Sequence, residues 1–349
     1  MVEITHVETS KIGNIDFDKL EFGKYISDHM FVAEYKNGKW SEGKIVPFGS
    51  IEISPSALAL HYGQSVFEGM KAFKTESGNI NIFRIQKHAE RINKSLERMC
   101  MAALPEALFE EGVRSFMQVE KDWVPPSDKG SFYLRPFVFA SESRYGVKIS
   151  DEYLFIIFGG PVGPYFPKPL RVKVERVFSR AAPGGTGSAK CAGNYGASFY
   201  PTTKAQEEGF DAIIWTDGSK HDFVEESGTM NLMFVQNGKI ITPEITDSIL
   251  PGITRDSLLT IAPSLGLEFE TRKVSVQEIK DGLESGAITE AFGTGTAAIV
   301  AYIHQIHIDG KDYTLPAFTE NSVQNRLKMA LHGLRTSDQK DVYGWNNFL

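Results

Sequence analysis

Strand-like and helical stretches alternate along this chain, which predicts a mixed α+β (α/β) protein in two domains. Three observations carry that reading. Asn-Gly or Ser-Gly pairs separate strand-like runs at Asn37-Gly38, Ser77-Gly78 and Asn237-Gly238, the pattern of β-hairpins. Elsewhere apolar residues recur at helical spacing. One segment, Gly159 to Pro169 (GGPVGPYFPKP), packs three glycines and four prolines into eleven residues and reads as the interdomain loop. The expected domains are a small one over 1–168 and a larger one over 169–349.

The elements follow in order. VAEYKNGKW and KAFKTESGNINIF read as hairpins. IQKHAERINKSLERMCMAAL places Ile85, Ile92, Leu96 and Met99 on one helical stripe with Arg91 beside it, and Pro105 marks the end of the pattern. SFYLRPFVFA and EYLFIIFG read as strands, the second buried on both faces. Beyond the loop, VKVERVF and DAIIWTDGS are strand-like, and NLMFVQNGKIITP is a hairpin. TRDSLLTIAPSL is helical with Thr254 or Asp256 as its cap. AITEAFGTGTAAIVAYIHQIHI is strand, glycine turn, strand, and SVQNRLKMALHGLRT is an amphipathic helix.

The 349 residues are 42% hydrophobic and 23% charged, with a net charge of -7. An acidic balance argues against nucleic acid as a partner, because phosphate-backbone binding needs clustered Lys and Arg. The two cysteines, Cys100 and Cys191, form no disulfide framework and no CxxC pair, so no metal site is expected. MVEITHVETSKIGNIDF lacks the apolar core of a secretory signal, and no run of about 18 apolar residues occurs. A soluble cytoplasmic protein without membrane contact is the expectation.

The stretch GGTGSAKCAGNYG, Gly184 to Gly196, raises the question of function. Five glycines surround Lys190. A nucleotide P-loop needs G-x-x-x-x-G-K-[ST], but Ala189 precedes this lysine and Cys191 follows it, so no hydroxyl waits for magnesium. A second glycine motif, Gly293 to Ala298, matches G-x-G-x-x-A, yet the strand-like run after it is wrong for a dinucleotide site. A lysine among small residues suits different chemistry. Glycines leave room for a flat cofactor ring, and a partly desolvated amine is a nucleophile.

Lys190-Cys-Ala-Gly-Asn-Tyr195, followed by Glu225-Glu226-Ser-Gly228-Thr-Met-Asn231, resembles the branched-chain aminotransferases, a group of class IV pyridoxal-phosphate enzymes. HYGQSVFEGMKAF (61–73), FRIQKHAERI (83–92), YLRP (133–136), GPYF (163–166), LPGITR (250–255) and FGTGTA (292–297) resemble that family's landmarks in the same order. The likeness spans roughly residues 20 to 335. It implies the two-domain fold of type IV pyridoxal-phosphate enzymes, with the cofactor between the domains. A D-amino-acid transaminase or an aminodeoxychorismate lyase of the same fold is the alternative; the ESGTM context at 226–230 and the chain length favour the branched-chain group.

The resemblance also assigns roles. Lys190 is the amine for the aldehyde of pyridoxal 5'-phosphate and the catalytic proton carrier. Glu226 is the carboxylate for the pyridine nitrogen, with the adjacent Glu225 as the ambiguity. Tyr195 faces the 3′-oxygen. Arg91, Thr296 and the helix start at Ile253 and Thr254 take the phosphate, where backbone N–H groups and the helix dipole favour an anion. Phe22, Tyr62, Phe67 and Tyr133 line the substrate pocket with Arg135 nearby. Thr229 and the Thr296–Ala297 backbone lie beside the α-carboxylate. Tyr145 and Val147 match a loop that reaches the partner subunit's pocket, implying a homodimer, and the loop bearing Tyr165 covers the site. Substrates would be leucine, isoleucine or valine in the L-form, with 2-oxoglutarate and L-glutamate as the second pair. Some animal members carry a C-x-x-C pair after the GTA turn; here those positions are Ala298 and Ala301, so no thiol switch is expected there.

Overall fold

The computed structural model describes residues 2–166 and 168–349. Pro167, inside the expected interdomain loop, lies outside the described residues. The chain divides into two compact units. The first runs to Tyr165 and also takes in Ala189–Gly193 and Gly333–Leu349; the second holds Phe166–Ser188 and Asn194–His332. The first unit is therefore the larger, against the expected small leading domain, because the lysine segment and the C-terminal tail belong to it.

The first unit is built on a nine-stranded sheet. Its strands are β1 (Glu3–Ile4), β2 (His29–Lys36), β3 (Lys39–Trp40), β4 (Lys44–Pro47), β5 (Ser65–Phe67), β6 (Met70–Lys74), β7 (Ile80–Ile82), β8 (Ser131–Ala140) and β9 (Tyr153–Val162). They run in the order β1-β4-β2-β9-β8-β6-β7, with β3 on β2 and β5 on β8. Helices α1 (Leu58–Tyr62), α2 (Ile85–Arg98) and α3 (Glu106–Val119) accompany it. Ile92 and Leu96 of α2, Phe109 and Phe116 of α3, and Phe31, Leu134 and Phe155 of the sheet share one buried core. The expected hairpins at Asn37-Gly38 and Ser77-Gly78 form as β2–β3 and β6–β7. Asn37 and Gly38 both take positive φ, 55° and 77°, which a tight right-twisting hairpin requires.

Three expectations for this unit need correction. Helix α2 stops at Arg98 rather than running to Pro105, because Cys100 turns to φ 52° and breaks the ladder. Pro105 instead precedes α3, a helix the sequence reading omitted. The segment Gly159–Val162 is not a linker but the end of β9, paired with Ser131–Leu134 of β8. Its glycines serve close backbone approach. A Cβ on Gly159 would stand 2.4 Å from the Tyr133 carbonyl oxygen, and one on Gly160 2.0 Å from that of Tyr25.

The C-terminal tail adds to the same unit along the β7 edge. The Ile82 N–H donates to the Asn347 carbonyl at 2.9 Å, and the Leu349 N–H donates to Ile80 at 3.1 Å.

The second unit also carries nine strands: β10 (Leu170–Val174), β11 (Ala212–Thr216), β12 (Val224–Ser227), β13 (Met230–Gln236), β14 (Lys239–Pro243), β15 (Phe269–Arg272), β16 (Ile288–Gly295), β17 (Ile299–Ile308) and β18 (Lys311–Thr314). The order is β12-β11-β10-β17-β16-β13-β14-β15, with β18 on β17. Because β12 also pairs with β13, six of these strands close into a ring. Val172, Ile214, Leu232, Phe234, Ala291 and Ile303 fill its core. The helices are α4 (Ala192–Gly196), α5 (Phe199–Glu207), α6 (Ile253–Ile261), α7 (Val276–Ser285) and α8 (Val323–Thr336), of which α4 and α8 each straddle the division between the units. The cap of α6 is Gly252, not Thr254 or Asp256. A Cβ there would lie 1.9 Å from Asn231 Oδ1, so glycine is needed for the approach. No helix among the described residues is long and apolar enough to cross a membrane.

Candidate active site

Within the first unit, Lys190 is held by its backbone on both sides. Its carbonyl accepts the Phe67 N–H at 3.0 Å, and its own N–H donates to Ser95 Oγ at 2.9 Å. The next residue, Cys191, makes a bridge to Val66 and is buried, which suits a small side chain. The half-buried Lys190 directs Nζ to 4.6 Å from the Phe67 ring centroid, within reach of the ring's negative face. An amine that is to act as a nucleophile needs this kind of fixed base and apolar side.

Strand β5 ends at Phe67, and Glu68 follows it into the interior with no exposure. Glu68 takes Arg91 edge to edge, Nε to Oε1 at 2.7 Å and Nη2 to Oε2 at 2.8 Å. His88 Nδ1, one helical turn earlier on α2, lies 2.7 Å from Oε2. Burial alone would raise the Glu68 pKa; the charge and hydrogen bonds of Arg91, with those of His88, outweigh it and hold the carboxyl well below the usual range. Burial pushes the His88 pKa down. Arg91 thus commits one edge of its fork to Glu68, and a guanidinium has five N–H groups in all.

The expected pocket residues of this unit form an aromatic group. Phe22 stands edge-on to Tyr133 at 5.1 Å and to Tyr165 at 4.7 Å. Arg135 Nη2 donates to the Tyr133 hydroxyl at 3.2 Å, and its guanidinium lies 4.9 Å from the Phe67 ring centroid. Phe67 therefore has both Lys190 and Arg135 against its ring. Gly69 makes room for Tyr133: a Cβ there would meet the hydroxyl at 2.0 Å. Tyr62 donates its hydroxyl to the Tyr145 carbonyl at 2.7 Å, while Tyr145 and Val147 are 87% and 83% exposed.

In the second unit, Glu226 sits on β12 opposite Asn231 of β13, across the turn made by Gly228 at φ 57°. It is 3% exposed. Its Oε1 accepts the Leu250 N–H at 2.7 Å and Asn231 Nδ2 at 3.4 Å; its Oε2 lies 3.1 Å from Arg180 Nε. Glu225, on the opposite face of the strand, bonds Ser248 Oγ, and burial raises its pKa. Tyr195 lies half-buried in α4. Ile253 and Thr254 open α6, 8% and 2% exposed, and the N-cap provides no side-chain cap. Thr296 and Ala297 are half-buried in the β16–β17 turn, and Thr229 is exposed. Just after that turn, at the start of β17, Ile299 adopts φ 63°, a costly left-handed state for a β-branched residue.

These donors and acceptors fit pyridoxal phosphate. Glu226 is a buried carboxylate, the kind of group that accepts a hydrogen bond from a protonated ring nitrogen. The N-cap of α6 is a glycine, which has no side chain to cap the helix, and a helix N-terminus favours an anion. Thr294 Oγ1, near the end of β16 and two residues before Thr296, is buried without a hydrogen-bond partner among the described residues. Sequence reasoning missed Glu68, Ser95, His88, Asn231 and Arg180. The serine had a readable signal, since it stands four residues after Arg91 on α2. Arg180 had none, because two of its partners are backbone carbonyls.

The fold and the sequence pattern it carries define a class. The chain belongs to the class IV aminotransferases, whose family pattern (Amino-transferase class IV) matches residues 65–306, and these enzymes depend on pyridoxal phosphate. Within the class it is a member of the branched-chain-amino-acid aminotransferase family. It is 41% identical over 332 residues to the probable branched-chain-amino-acid aminotransferase of Staphylococcus aureus (strain N315), covering 94% of this chain and 92% of that protein. It is 36% identical over 348 residues to branched-chain-amino-acid aminotransferase 2 of Bacillus subtilis (strain 168), covering 99% and 95%. Among solved structures, the Escherichia coli branched-chain aminotransferase superposes with a TM-score of 0.76 at 26% identity over 92% of this chain and 98% of that one. The T.th. branched-chain aminotransferase with pyridoxamine 5'-phosphate gives 0.76 at 25%, over 93% and 99%.

Proposed function

We propose that this protein is a homodimeric, cytoplasmic enzyme that moves an amino group reversibly between L-leucine, L-isoleucine or L-valine and 2-oxoglutarate. The products are the branched-chain 2-oxo acid and L-glutamate. Lys190, Arg91, Tyr195, Glu226, Ile253, Thr254 and Thr296 hold the cofactor. When bound, pyridoxal phosphate supplies the aldehyde that carries the amino group and an electron sink for the substrate's α-carbon.

The chain's own residues do the rest. Lys190 Nζ is the base for the proton on the α-carbon, steadied by the two backbone bonds that fix its Cα. Glu226 keeps a negative charge in a buried place. Phe22, Tyr62, Phe67 and Tyr133 give the branched side chain an apolar wall that excludes water. Thr229 and the Thr296–Ala297 backbone orient the α-carboxylate. The hydroxyls of Tyr62 and Tyr133 are neutral donors that receive the second carboxylate of glutamate without adding a charge that would go unpaired when leucine is bound. Exposure of Tyr145 and Val147 supports their assignment to the partner subunit's pocket.

The observation that carries the reading is the two-sided backbone clamp on Lys190 with Nζ against Phe67. Visible absorption of the purified, cofactor-loaded protein tests it. L-Leucine should bleach the yellow band, and 2-oxoglutarate should restore it. Bleaching by D-alanine in place of L-leucine would move the protein to the D-amino-acid transaminases.

A further inference from the structure

Arg180 lies ten residues before Lys190, at the start of the glycine loop, and its side chain is only 8% exposed. Its Nη2 donates to the Gly187 carbonyl at 3.0 Å and to the Ser248 carbonyl. Its Nε stands 3.1 Å from Glu226 Oε2, out of line for a hydrogen bond, so charge rather than direction links the two groups. The loop it grips is pressed onto the Asp247–Ser248 backbone. Asp247 Oδ2 accepts the Gly184 N–H at 2.5 Å, and the Asp247 carbonyl accepts the Ser188 N–H at 2.8 Å. A Cβ on Gly187 would lie 2.4 Å from the Ser248 carbonyl oxygen. One buried guanidinium therefore touches the acid, the loop and the segment beneath the loop. A lysine ammonium, a compact point charge without the planar fork, does not match this set.

We infer that Arg180 is a positioning residue of the reaction: it holds Glu226 as a carboxylate aimed at the cofactor's ring nitrogen and locks the glycine loop that leads in sequence to Lys190. The inference rests on the proposed role of Glu226. A positive charge close to a buried carboxylate favours its ionised form. An ionised Glu226 accepts the ring N–H and keeps that nitrogen protonated. Without Arg180, burial would favour neutral Glu226, and the ring nitrogen would lose its proton at lower pH.

The test loads the full-length protein with pyridoxal phosphate labelled with nitrogen-15 in the ring and follows the ring-nitrogen resonance against pH. Wild type, Arg180→Gln, Arg180→Lys, Glu226→Gln and Glu225→Gln are compared. Arg180→Gln should lower the pH at which the nitrogen loses its proton by about one unit or more. It should lower kcat by about a hundredfold with a smaller change in KM. Arg180→Lys should keep the nitrogen protonated yet lose about tenfold in kcat, because the fork is gone. A merely structural arginine would lower thermal stability without moving the nitrogen. If Glu226→Gln shifts the nitrogen and Arg180→Gln does not, the inference about Arg180 is overturned while the reading of Glu226 stands. If Glu225→Gln shifts it and Glu226→Gln does not, the reading of Glu226 falls instead. Should Arg180→Gln fail to fold, wild-type kcat in Arg180→Lys overturns the inference.

Discussion

Ser95 and Lys190 are joined by a hydrogen bond, Lys190 N–H to Ser95 Oγ at 2.9 Å, and the Ser95 hydroxyl in turn donates to the Arg91 carbonyl at 3.1 Å. The buried serine thus ties the lysine's backbone to the helix that carries Arg91. Ser95→Ala leaves a backbone N–H without that acceptor, at a cost of about 1–3 kcal/mol. Denaturant unfolding should register that loss. The kinetic isotope effect with α-deuterated leucine should rise as proton transfer slows; an unchanged isotope effect would confine Ser95 to a role in stability.

Lys190→Ala removes the amine while the fold keeps Phe67 and Ser95. Turnover should fall by about three decades or more. The circular dichroism spectrum should stay that of the wild type, so that lost activity is not lost folding.

Glu68 and Arg91 form a buried bidentate pair, and breaking such a pair from one side leaves an uncompensated charge. Glu68→Ala should destabilise the protein by about 3 kcal/mol. Half-maximal cofactor binding, measured by fluorescence quenching, should need more pyridoxal phosphate, because Arg91 is no longer oriented. Stability equal to wild type would show that water or another group replaces Glu68 without loss.

Lys71, 5% exposed, has its pKa pushed down to about 7, first by burial and then by the charge of Arg335. The sign follows from linkage. Between about pH 7 and the unfolded value near 10.4 the unfolded chain keeps a proton that the folded chain has released, so this group makes stability rise with pH. Below about pH 7 both states hold the proton and the slope from this group vanishes. Lys71→Met should flatten the rise, as read from urea midpoints between pH 7 and 10. A slope unchanged from wild type would mean that the Lys71 ammonium stays charged in the fold.

Gly69→Ala drives a methyl into the Tyr133 hydroxyl, and Tyr133 cannot retreat easily because Phe22 and Arg135 hold it. KM for leucine should rise by at least about tenfold, with a smaller change in kcat. An unaltered KM would remove Tyr133 from the pocket.

What was legible in the sequence was local. Asn37-Gly38 and Asn237-Gly238 announced their hairpins because a two-residue turn needs left-handed backbone, and Asn and Gly supply it. Gly159 and Gly160 misled for the same reason in reverse: glycine read as flexibility where it permits contact with a neighbouring strand or segment. Helix α3 carried a usable stripe in Phe109, Val113 and Phe116, but Gly112 interrupts it, and that glycine exists because the Phe31 ring would stand 2.9 Å from a Cβ. The expectations for Lys190 and the glycine turn came from neighbours in sequence. Glu68 could not, since its value lies in Arg91, 23 residues on, and Arg180 reaches a carbonyl 68 residues away.

The first unit gathers its parts from three places along the chain: the stretch up to Tyr165, the short Ala189–Gly193 segment and the tail Gly333–Leu349. A ribosome delivers these in order. The lysine arrives only after the first long stretch is made, and the residues that bond to Ile80 and Ile82 come after the whole second unit. The newborn first unit must therefore wait with an open sheet edge until Asn347 and Leu349 emerge, and the whole second unit is threaded out in the interval. Chaperone dependence should accordingly track the exposed β7 edge, and ribosomes stalled before residue 333 should display a first unit that proteases cut readily at that edge.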